Sequence, residues 1–261
     1  MDAYKKVQAA RAKERPRGKE FIKHLFTDFT EMHGDRRFGD DKAILAGIAL
    51  LNDMPVTVIA HERGSDTKER IERNFGSAHP EGYRKALRQM KLAEKFSRPV
   101  VCLVDTAGAY CGMGAEERGQ GQAIAENMME MMTLTVPIIT LLIGEGGSGG
   151  ALGLAVADEV WMMENSVYSV ISPEGCASIL WKDSAKVREA AECLKLTAED
   201  LQRLHVVEEV IPEFHGDFSY IYPKLQKKLY DKLNEKRVLS AEQLTLERYE
   251  RFRRIGEFKE C

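Results

Sequence analysis

A stretch of seven residues near the middle of the chain, residues 144–150, contains five glycines. The apolar run 136–143 precedes it and the small-residue segment 151–157 follows, so the pattern predicts a strand, a glycine turn and a helix. Glycine loses more backbone entropy on folding than any other residue, so this density needs a physical reason. Two reasons fit, a backbone with positive φ and a close approach of a ligand to the main chain. A tight turn that packs the helix on the sheet is the alternative without a ligand.

This turn is the best candidate for an anion-stabilising site in the chain. The first amides of a helix have no partner within the helix, and with the helix dipole they favour negative charge. A phosphate loop would end in Lys-Ser or Lys-Thr, which this turn lacks. A dinucleotide fingerprint is an alternative, because Gly144, Gly146 and Gly149 match its spacing and Glu164 follows about 20 residues on. An oxyanion hole, whose amides face charge that develops during a reaction, is another.

A second glycine-bearing loop favours the oxyanion hole. Gly108, Gly112 and Gly114 follow the predicted strand 100–105 and precede the predicted helix 115–134. Neighbouring parallel strands end at the same edge of a sheet, so the two loops are expected to meet there. A dinucleotide-binding fold needs only one such loop. The six histidines have no spacing typical of a catalytic triad or a metal site, so we predict backbone amides as the catalytic groups and no metal.

Strands alternate with helices along the 261 residues, which predicts an α/β fold with a largely parallel sheet. No low-complexity linker divides the chain, so one domain is predicted over residues 1–261. We expect a helical amino-terminal part over about residues 1–33, a core over about 34–212 and carboxyl-terminal helices over about 213–261. The amino-terminal part carries apolar residues at every fourth position, namely Phe21, Leu25 and Phe29.

Composition and charge narrow the classes of protein. A net charge of -3 argues against duplex nucleic acid as the main partner, because neutralising phosphates needs a basic excess. The five cysteines are odd in number and contain no C-x-x-C pair, so they predict neither a disulfide framework nor a zinc site and fit a reducing compartment. The amino terminus is too charged for a signal peptide, and no apolar run could span a membrane. A cytoplasmic location is expected.

Two segments are locally basic. The first 24 residues are rich in lysine and arginine, which predicts a solvated helix or a subunit contact. The connector 63–76 carries Arg63, Arg70 and Arg73 among acidic residues. These arginines could face a phosphate or a partner, or they could simply pair with the carboxylates beside them.

Several short motifs follow one another along the chain, and together they are specific although each alone is weak. They are Gly34-Asp35-Arg36, Asn74-Phe75-Gly76, Pro80-Glu81-Gly82-Tyr83, Asp105-Thr106-x-Gly108-Ala109-Tyr110, Gly114-Ala115-Glu116-Glu117-Arg118-Gly119-Gln120, residues 144–152 and Tyr168-Ser169-Val170-Ile171-Ser172-Pro173-Glu174-Gly175-Cys176-Ala177. In these motifs the chain resembles the alpha subunits of the multi-subunit acetyl-CoA carboxylase carboxyltransferases, over about residues 17–212. It departs from them at Ala107 and Cys111, where that family usually has proline.

The resemblance implies a crotonase-like (ClpP/crotonase) fold of repeated ββα units with flanking amino- and carboxyl-terminal helices. It also implies a beta subunit as partner, with the active site between the two chains. Carboxybiotin, presented by a biotin carboxyl carrier protein, would give its carboxyl group to acetyl-CoA and form malonyl-CoA for fatty acid biosynthesis. Biotin carboxylase would belong to the larger complex.

The resemblance also implies roles for particular residues. Gly149 and Gly150 match the oxyanion-hole glycines of the family, whose amides would stabilise the ureido oxygen of biotin. Five further residues would line the carboxybiotin site: Gly146, Gly147, Gly108, Ala109 and Tyr110. Two alternatives are a stand-alone crotonase-type acyl-CoA enzyme such as a decarboxylase, and a catalytically silent subunit that only docks partners.

Overall fold

A computed structural model of the chain describes residues 2–256 and, for His215, the backbone only. Its strands are β1 Thr27–Glu31, β2 Ile44–Leu51, β3 Met54–His61, β4 Val100–Thr106, β5 Ile138–Gly147, β6 Glu159–Met163, β7 Val167–Ser169 and β8 Glu209–Ile211. They form one sheet in the order β1-β2-β3-β4-β5-β6-β8, and β7 pairs with the second half of β5.

Helices cover both faces of this sheet. They are α1 Ala3–Ala10, α2 Gly18–Leu25, α3 Thr67–Glu72, α4 Pro80–Lys95, α5 Met113–Glu117, α6 Gln120–Thr133, α7 Ser148–Leu152, α8 Pro173–Leu180, α9 Val187–Cys193, α10 Ala198–Arg203, α11 Phe218–Arg237 and α12 Ala241–Arg254. Short 3-10 turns occur at Asn74–Gly76, Ser184–Lys186 and Phe214–Gly216. Within residues 2–256, no helix combines the length and the apolar character needed to cross a membrane.

The sheet begins with antiparallel strands and continues as parallel ones. β1, β2 and β3 pair antiparallel, and Asn52 turns the hairpin between β2 and β3 with a φ of 54°. From β3 through β4, β5 and β6 to β8 every pairing is parallel. The parallel strands place their carboxyl ends at one edge of the sheet, where the glycine loops lie.

The prediction that residues 1–33 are wholly helical is wrong for residues 27–31. Helix α2 ends at Leu25, and the chain continues as strand β1 along the edge of the sheet. Phe29 therefore lies in a strand, half-buried against the same apolar cluster as Phe21. A spacing of four residues also satisfies the period of two that governs strands, so pairing with β2 decides between the two structures.

Two apolar layers, one on each face of the sheet, form the core. In β4 and β5, Val104 and Leu142 pack towards α4 and α6, whereas Leu103 and Leu141 pack towards α2 and α11. Alternate residues of a strand point to opposite faces, so strands covered on both sides read as continuous apolar runs. This explains why both strands were recognisable from sequence.

Helix α12 is anchored to the core by Arg248, whose side chain is completely buried. Its guanidinium donates to both carboxylate oxygens of Asp158, at 2.8 and 3.1 Å. It also donates to the backbone carbonyl oxygens of Met131, Leu134 and Val136. Burial raises the pKa of Asp158, although the neighbouring guanidinium acts in the opposite direction. A buried charge pair of this kind is stable only while both partners are present.

His61, the last residue of β3, is fully buried, and neither of its ring nitrogens has a hydrogen-bond partner in the structure. Burial lowers the pKa of His61 from its ordinary value of 6.5 to about 3. The unfolded chain therefore binds a proton at this residue between pH 6.5 and about 3, whereas the folded chain does not. The stability that depends on a neutral His61 is therefore fully present above pH 6.5, and it is lost as the pH falls through this range.

From pH 7 to pH 5, His61 is expected to lower the free energy of unfolding by about 2 kcal/mol. His61→Gln should remove this part of the pH dependence, because glutamine does not titrate. The matched control is His205→Gln, since His205 is exposed. Urea unfolding of the three proteins at both pH values measures the effect. If the free energy of unfolding changes equally between the two pH values in wild type and in His61→Gln, the prediction is contradicted.

Candidate active site

The two glycine-bearing loops meet at the carboxyl ends of β4 and β5, as the sequence predicts. Thr106 of β4 lies in register with Gly146 of β5. A Cβ atom on Gly147 would overlap the carbonyl oxygen of Ala107, and one on Gly150 would lie 2.5 Å from the Ala109 nitrogen. Both distances are shorter than real Cβ contacts allow. The main chains of the two loops are therefore packed directly against each other.

The prediction of a glycine turn over residues 144–150, between a strand 136–143 and a helix 151–157, is wrong in its boundaries. Strand β5 continues through Gly147, and α7 begins at Ser148 and ends at Leu152. None of the five glycines has a positive φ, whereas Ser148 has a φ of 50°. Most of these positions therefore require glycine because neighbouring atoms lie too close to the backbone to leave room for a side chain. Side chains at Gly144 and Gly146 would overlap Asp105 and Leu142.

Gly149 differs from the other glycines of the segment. It is half-buried, and a Cβ atom there would meet only methyl groups of Ile124, at 3.6 and 3.7 Å. Those are ordinary van der Waals distances, so internal packing does not require glycine at this position. Gly150, in contrast, is buried against the neighbouring loop.

Helix α7 contributes its first amides rather than a large dipole, since it has only five residues. Side chains from the core hold it in place. The Tyr83 hydroxyl donates to the carbonyl oxygen of Gly150 at 3.3 Å, and the Asn127 amide donates to that of Gly153 at 3.1 Å. Gly149 and Gly150 therefore lie in the first turn of a helix that is fixed on its buried side.

The loop 107–112 is held by its own hydrogen bonds, although it lacks the two prolines usual in the family it resembles. The Thr106 hydroxyl bonds both the amide and the carbonyl oxygen of Gly108. The amide of Tyr110 donates to the carbonyl oxygen of Ala78. The side chain of Gln120 donates to the carbonyl oxygen of Tyr110 at 2.8 Å. The Tyr110 ring stacks on the His79 ring, with their centroids 4.1 Å apart, and it is 37% exposed.

The predicted helix 115–134 is interrupted. It is divided into α5 and α6 by Gly119, which has a φ of 82° and is the N-cap residue of α6. The interruption directs Gln120 towards the loop, where it bonds Tyr110. A glycine inside an apolar helical pattern was the available signal for this break.

Sequence reasoning missed a cluster of charged residues beneath the site. The Arg63 guanidinium lies 3.0 Å from Asp105 and 3.2 Å from Glu145, and Asp105 also accepts from the Glu145 amide. Arg11 contacts Glu145 at 2.7 Å, so the basic amino terminus is partly an internal structural element. Asp105 lies at the end of its strand, opposite Gly144, and this position was the one local signal of the charged cluster.

Solved structures share this fold. The chain superposes on transcarboxylase 12S with a TM-score of 0.71, at 19% identity, over 85% of this chain and 42% of that one. It superposes on a Pseudomonas malonate decarboxylase hetero-tetramer in complex with coenzyme A with a TM-score of 0.64, at 17% identity, over 84% and 92%. At these identities the likeness concerns the fold alone. The fold is crotonase-like, as predicted.

Sequence comparisons are more specific. The family described as acetyl co-enzyme A carboxylase carboxyltransferase-like matches residues 1–256. The carboxyl transferase subunit alpha of acetyl-coenzyme A carboxylase from Ruminiclostridium cellulolyticum is 68% identical over 256 residues, covering 98% of both chains. Its counterpart in Bacillus cytotoxicus is 57% identical over 264 residues, covering 98% of this chain and 81% of that one. The chain belongs to the acetyl-CoA carboxylase carboxyltransferase family, and the predicted resemblance is confirmed.

Proposed function

We propose that this chain is the alpha subunit of an acetyl-CoA carboxylase carboxyltransferase. It would transfer the carboxyl group of carboxybiotin, carried by the biotin carboxyl carrier protein, to acetyl-CoA and so form malonyl-CoA. A beta subunit would complete the site, and biotin carboxylase would recharge the carrier. The observation that supports a catalytic role is the glycine at position 149, in the first turn of α7, which internal packing does not require.

The residues present fit the ureido ring of biotin. Its oxygen needs hydrogen-bond donors, and the first-turn amides of Gly149 and Gly150 are donors without an acceptor inside their own helix. The loop opposite offers space at Gly108, where a Cβ atom would meet nothing within 4 Å, and an exposed ring at Tyr110. Ala109 is half-buried between them.

For two of the residues predicted to line the site, the packing supports a structural role. Gly146 is buried, and a side chain there would overlap Leu142. Gly147 packs its Cα against the backbone of Ala107. We therefore assign Gly146 and Gly147 to the support of the site, because their lack of a side chain lets the loops approach each other. Gly149, Gly150, Gly108, Ala109 and Tyr110 remain as the residues expected to contact the ligand.

The proposed chemistry needs little from side chains. When bound, carboxybiotin supplies the carboxyl group as CO₂, and the ring left behind supplies the base for the acetyl methyl group. The amides of Gly149 and Gly150 then stabilise negative charge on the ureido oxygen, which makes departure of the carboxyl group easier. The hydrogen bonds at Thr106 and Gln120 keep the opposite loop in position, so the site reorganises little during reaction.

Reconstitution tests this function. Malonyl-CoA formation from carboxybiotin and acetyl-CoA is expected only when this chain is combined with a beta subunit, because each chain would hold one substrate. The measurement is product formation by the two chains separately and together. Turnover of an acyl-CoA by this chain alone would contradict the two-subunit function and favour a stand-alone crotonase-type enzyme.

A further inference from the structure

A small cavity lined by arginines lies at the carboxyl end of β4, separate from the amide site. Its volume is about 60 Å³. Arg11, Arg15 and Arg17 reach it from the connection between α1 and α2, while Arg63 and Arg70 reach it from the segment after β3. Asp105, which also lines the cavity, alternates with Thr106 along the strand. Successive residues of a strand point to opposite faces, so the cavity and the loop at Gly108 lie on different sides of the sheet.

Three of the five arginines are matched by carboxylates. Arg15 forms a bidentate pair with Glu213 in which both side chains are buried. Arg11 contacts Glu145 and Glu174. Arg63 contacts Asp105 and Glu145, as described above. These three arginines thus face four carboxylates, and the ion pairs build the wall of the cavity.

The other two arginines have only backbone partners. Arg17 donates to the carbonyl oxygen of Lys13 at 2.7 Å, and Arg70 donates to that of Gly64 at 3.4 Å. Across the described part of the chain, neither guanidinium has a carboxylate within 4.0 Å. Each guanidinium therefore lacks a direct ion pair beside the same cavity. Five arginines against four carboxylates leave one net positive charge there, and the two guanidinium groups without ion pairs can donate to an anion.

The dimensions of the cavity limit the ligand. A buried water needs about 10–15 Å³ on the same scale, so about 60 Å³ holds roughly four waters or a single tetrahedral oxyanion. Phe75 lies at the rim with its side chain 57% exposed and its backbone in the left-handed region, at φ 54° and ψ 28°. An aromatic ring next to guanidinium groups suits a nucleotide, whose flat base can stack on the ring while its phosphate meets the guanidinium groups.

We propose that this arginine cavity, lined by Arg17 and Arg70, binds a phosphate group, either free phosphate or the phosphate of a nucleotide-containing ligand. The guanidinium forks of Arg17 and Arg70 donate to its oxygens, and the paired arginines around them keep the cavity open and fixed. The proposal does not depend on carboxyl transfer, because binding is measured without turnover.

Calorimetric titration of the full-length chain at constant ionic strength tests the proposal, with inorganic phosphate, coenzyme A and dephospho-coenzyme A as probes. Arg17→Gln combined with Arg70→Gln is expected to weaken phosphate binding at least about 10-fold, since two charged hydrogen-bond donors are lost. Neither change leaves a buried carboxylate without a partner. Lys68→Gln is the matched control, because Lys68 is exposed on α3 and does not line the cavity.

The probes separate the sources of the phosphate. Tighter binding of coenzyme A than of dephospho-coenzyme A, lost in the double variant, identifies the 3′-phosphate of that ligand. Binding of inorganic phosphate with no such difference identifies free phosphate. If the double variant does not fold, Arg70→Gln alone serves, since Arg70 lies on a short surface helix. Equal binding of every probe by wild type and variant, or no binding at all, overturns the proposal.

Discussion

Replacing Gly149 by valine is expected to lower the rate of carboxyl transfer at least about 100-fold while the fold remains intact. A Cβ atom at this position meets only methyl groups of Ile124 at 3.6 Å or more, so no backbone atom has to move to admit it. The branched side chain would add two further methyl groups beside the first-turn amides. A ligand oxygen could then no longer approach them.

The rate of malonyl-CoA formation by the reconstituted alpha–beta pair measures this effect, and gel filtration shows whether the subunits still associate. Gly121→Val is the matched control, because Gly121 is exposed on α6 and a Cβ atom there meets nothing within 4 Å. Gly150→Ala is less informative, since the new atom would lie 2.5 Å from the Ala109 nitrogen and disturb both loops. Full activity of Gly149→Val would contradict the oxyanion role and favour a catalytically silent docking subunit.

Arg248→Met is expected to destabilise the chain by about 3–5 kcal/mol. The substitution leaves the carboxylate of Asp158 buried without its charge partner, and it also removes donors from the carbonyl oxygens of Leu134 and Val136. Methionine fills a similar volume, so the loss comes from unpaired polar groups rather than from a cavity. For a chain of this size, the unfolding temperature should fall by about 10 °C.

Arg253→Met provides the control, because Arg253 is exposed on the same helix. Its effect should stay within about 0.5 kcal/mol, as is usual for surface substitutions. Urea unfolding followed by circular dichroism compares the two variants with wild type. A difference of less than about 1 kcal/mol for Arg248→Met would show that the carboxylate of Asp158 finds another partner or takes up a proton.

Local signals predicted those parts of the fold that depend on nearby residues. The hairpin between β2 and β3 was predictable because Asn52 and Asp53 separate two apolar runs. Helix α4 was predictable because Pro80 suits its first turn and Tyr83, Leu87 and Met90 follow at helical spacing. In each case the residues that determine the structure lie within a few positions of one another.

Contacts between distant residues explain what the sequence could not predict. The glycines of β5 look like a turn, yet they lie in a strand because Ala107 and its neighbours, about 40 residues earlier, press against them. Arg15 looks like a solvated charge, yet it is buried because Glu213 lies opposite it. No local rule connects such pairs, since the fold must exist before they meet.

Of the candidate site, the two loops and their meeting place followed from the sequence. The assignment of Gly149 and Gly150 came from the family resemblance, and it stays a prediction. The distinction between them depends on the folded structure, because only the neighbours of each Cα show that Gly149 meets Ile124 at ordinary distances whereas Gly150 is packed against the other loop. The arginine cavity was beyond prediction, since its residues come from three separate segments.

The anchor at Arg248 has a consequence for how the chain matures on the ribosome. Arg248 follows its partner Asp158 by 90 residues, and it binds carbonyl oxygens from the turn before β5 as well. During synthesis, the carboxylate of Asp158 therefore stays hydrated until α12 has left the exit tunnel and Arg248 can bind it. The central strands can pair earlier, but this part of the core is closed against water only after α12 has docked.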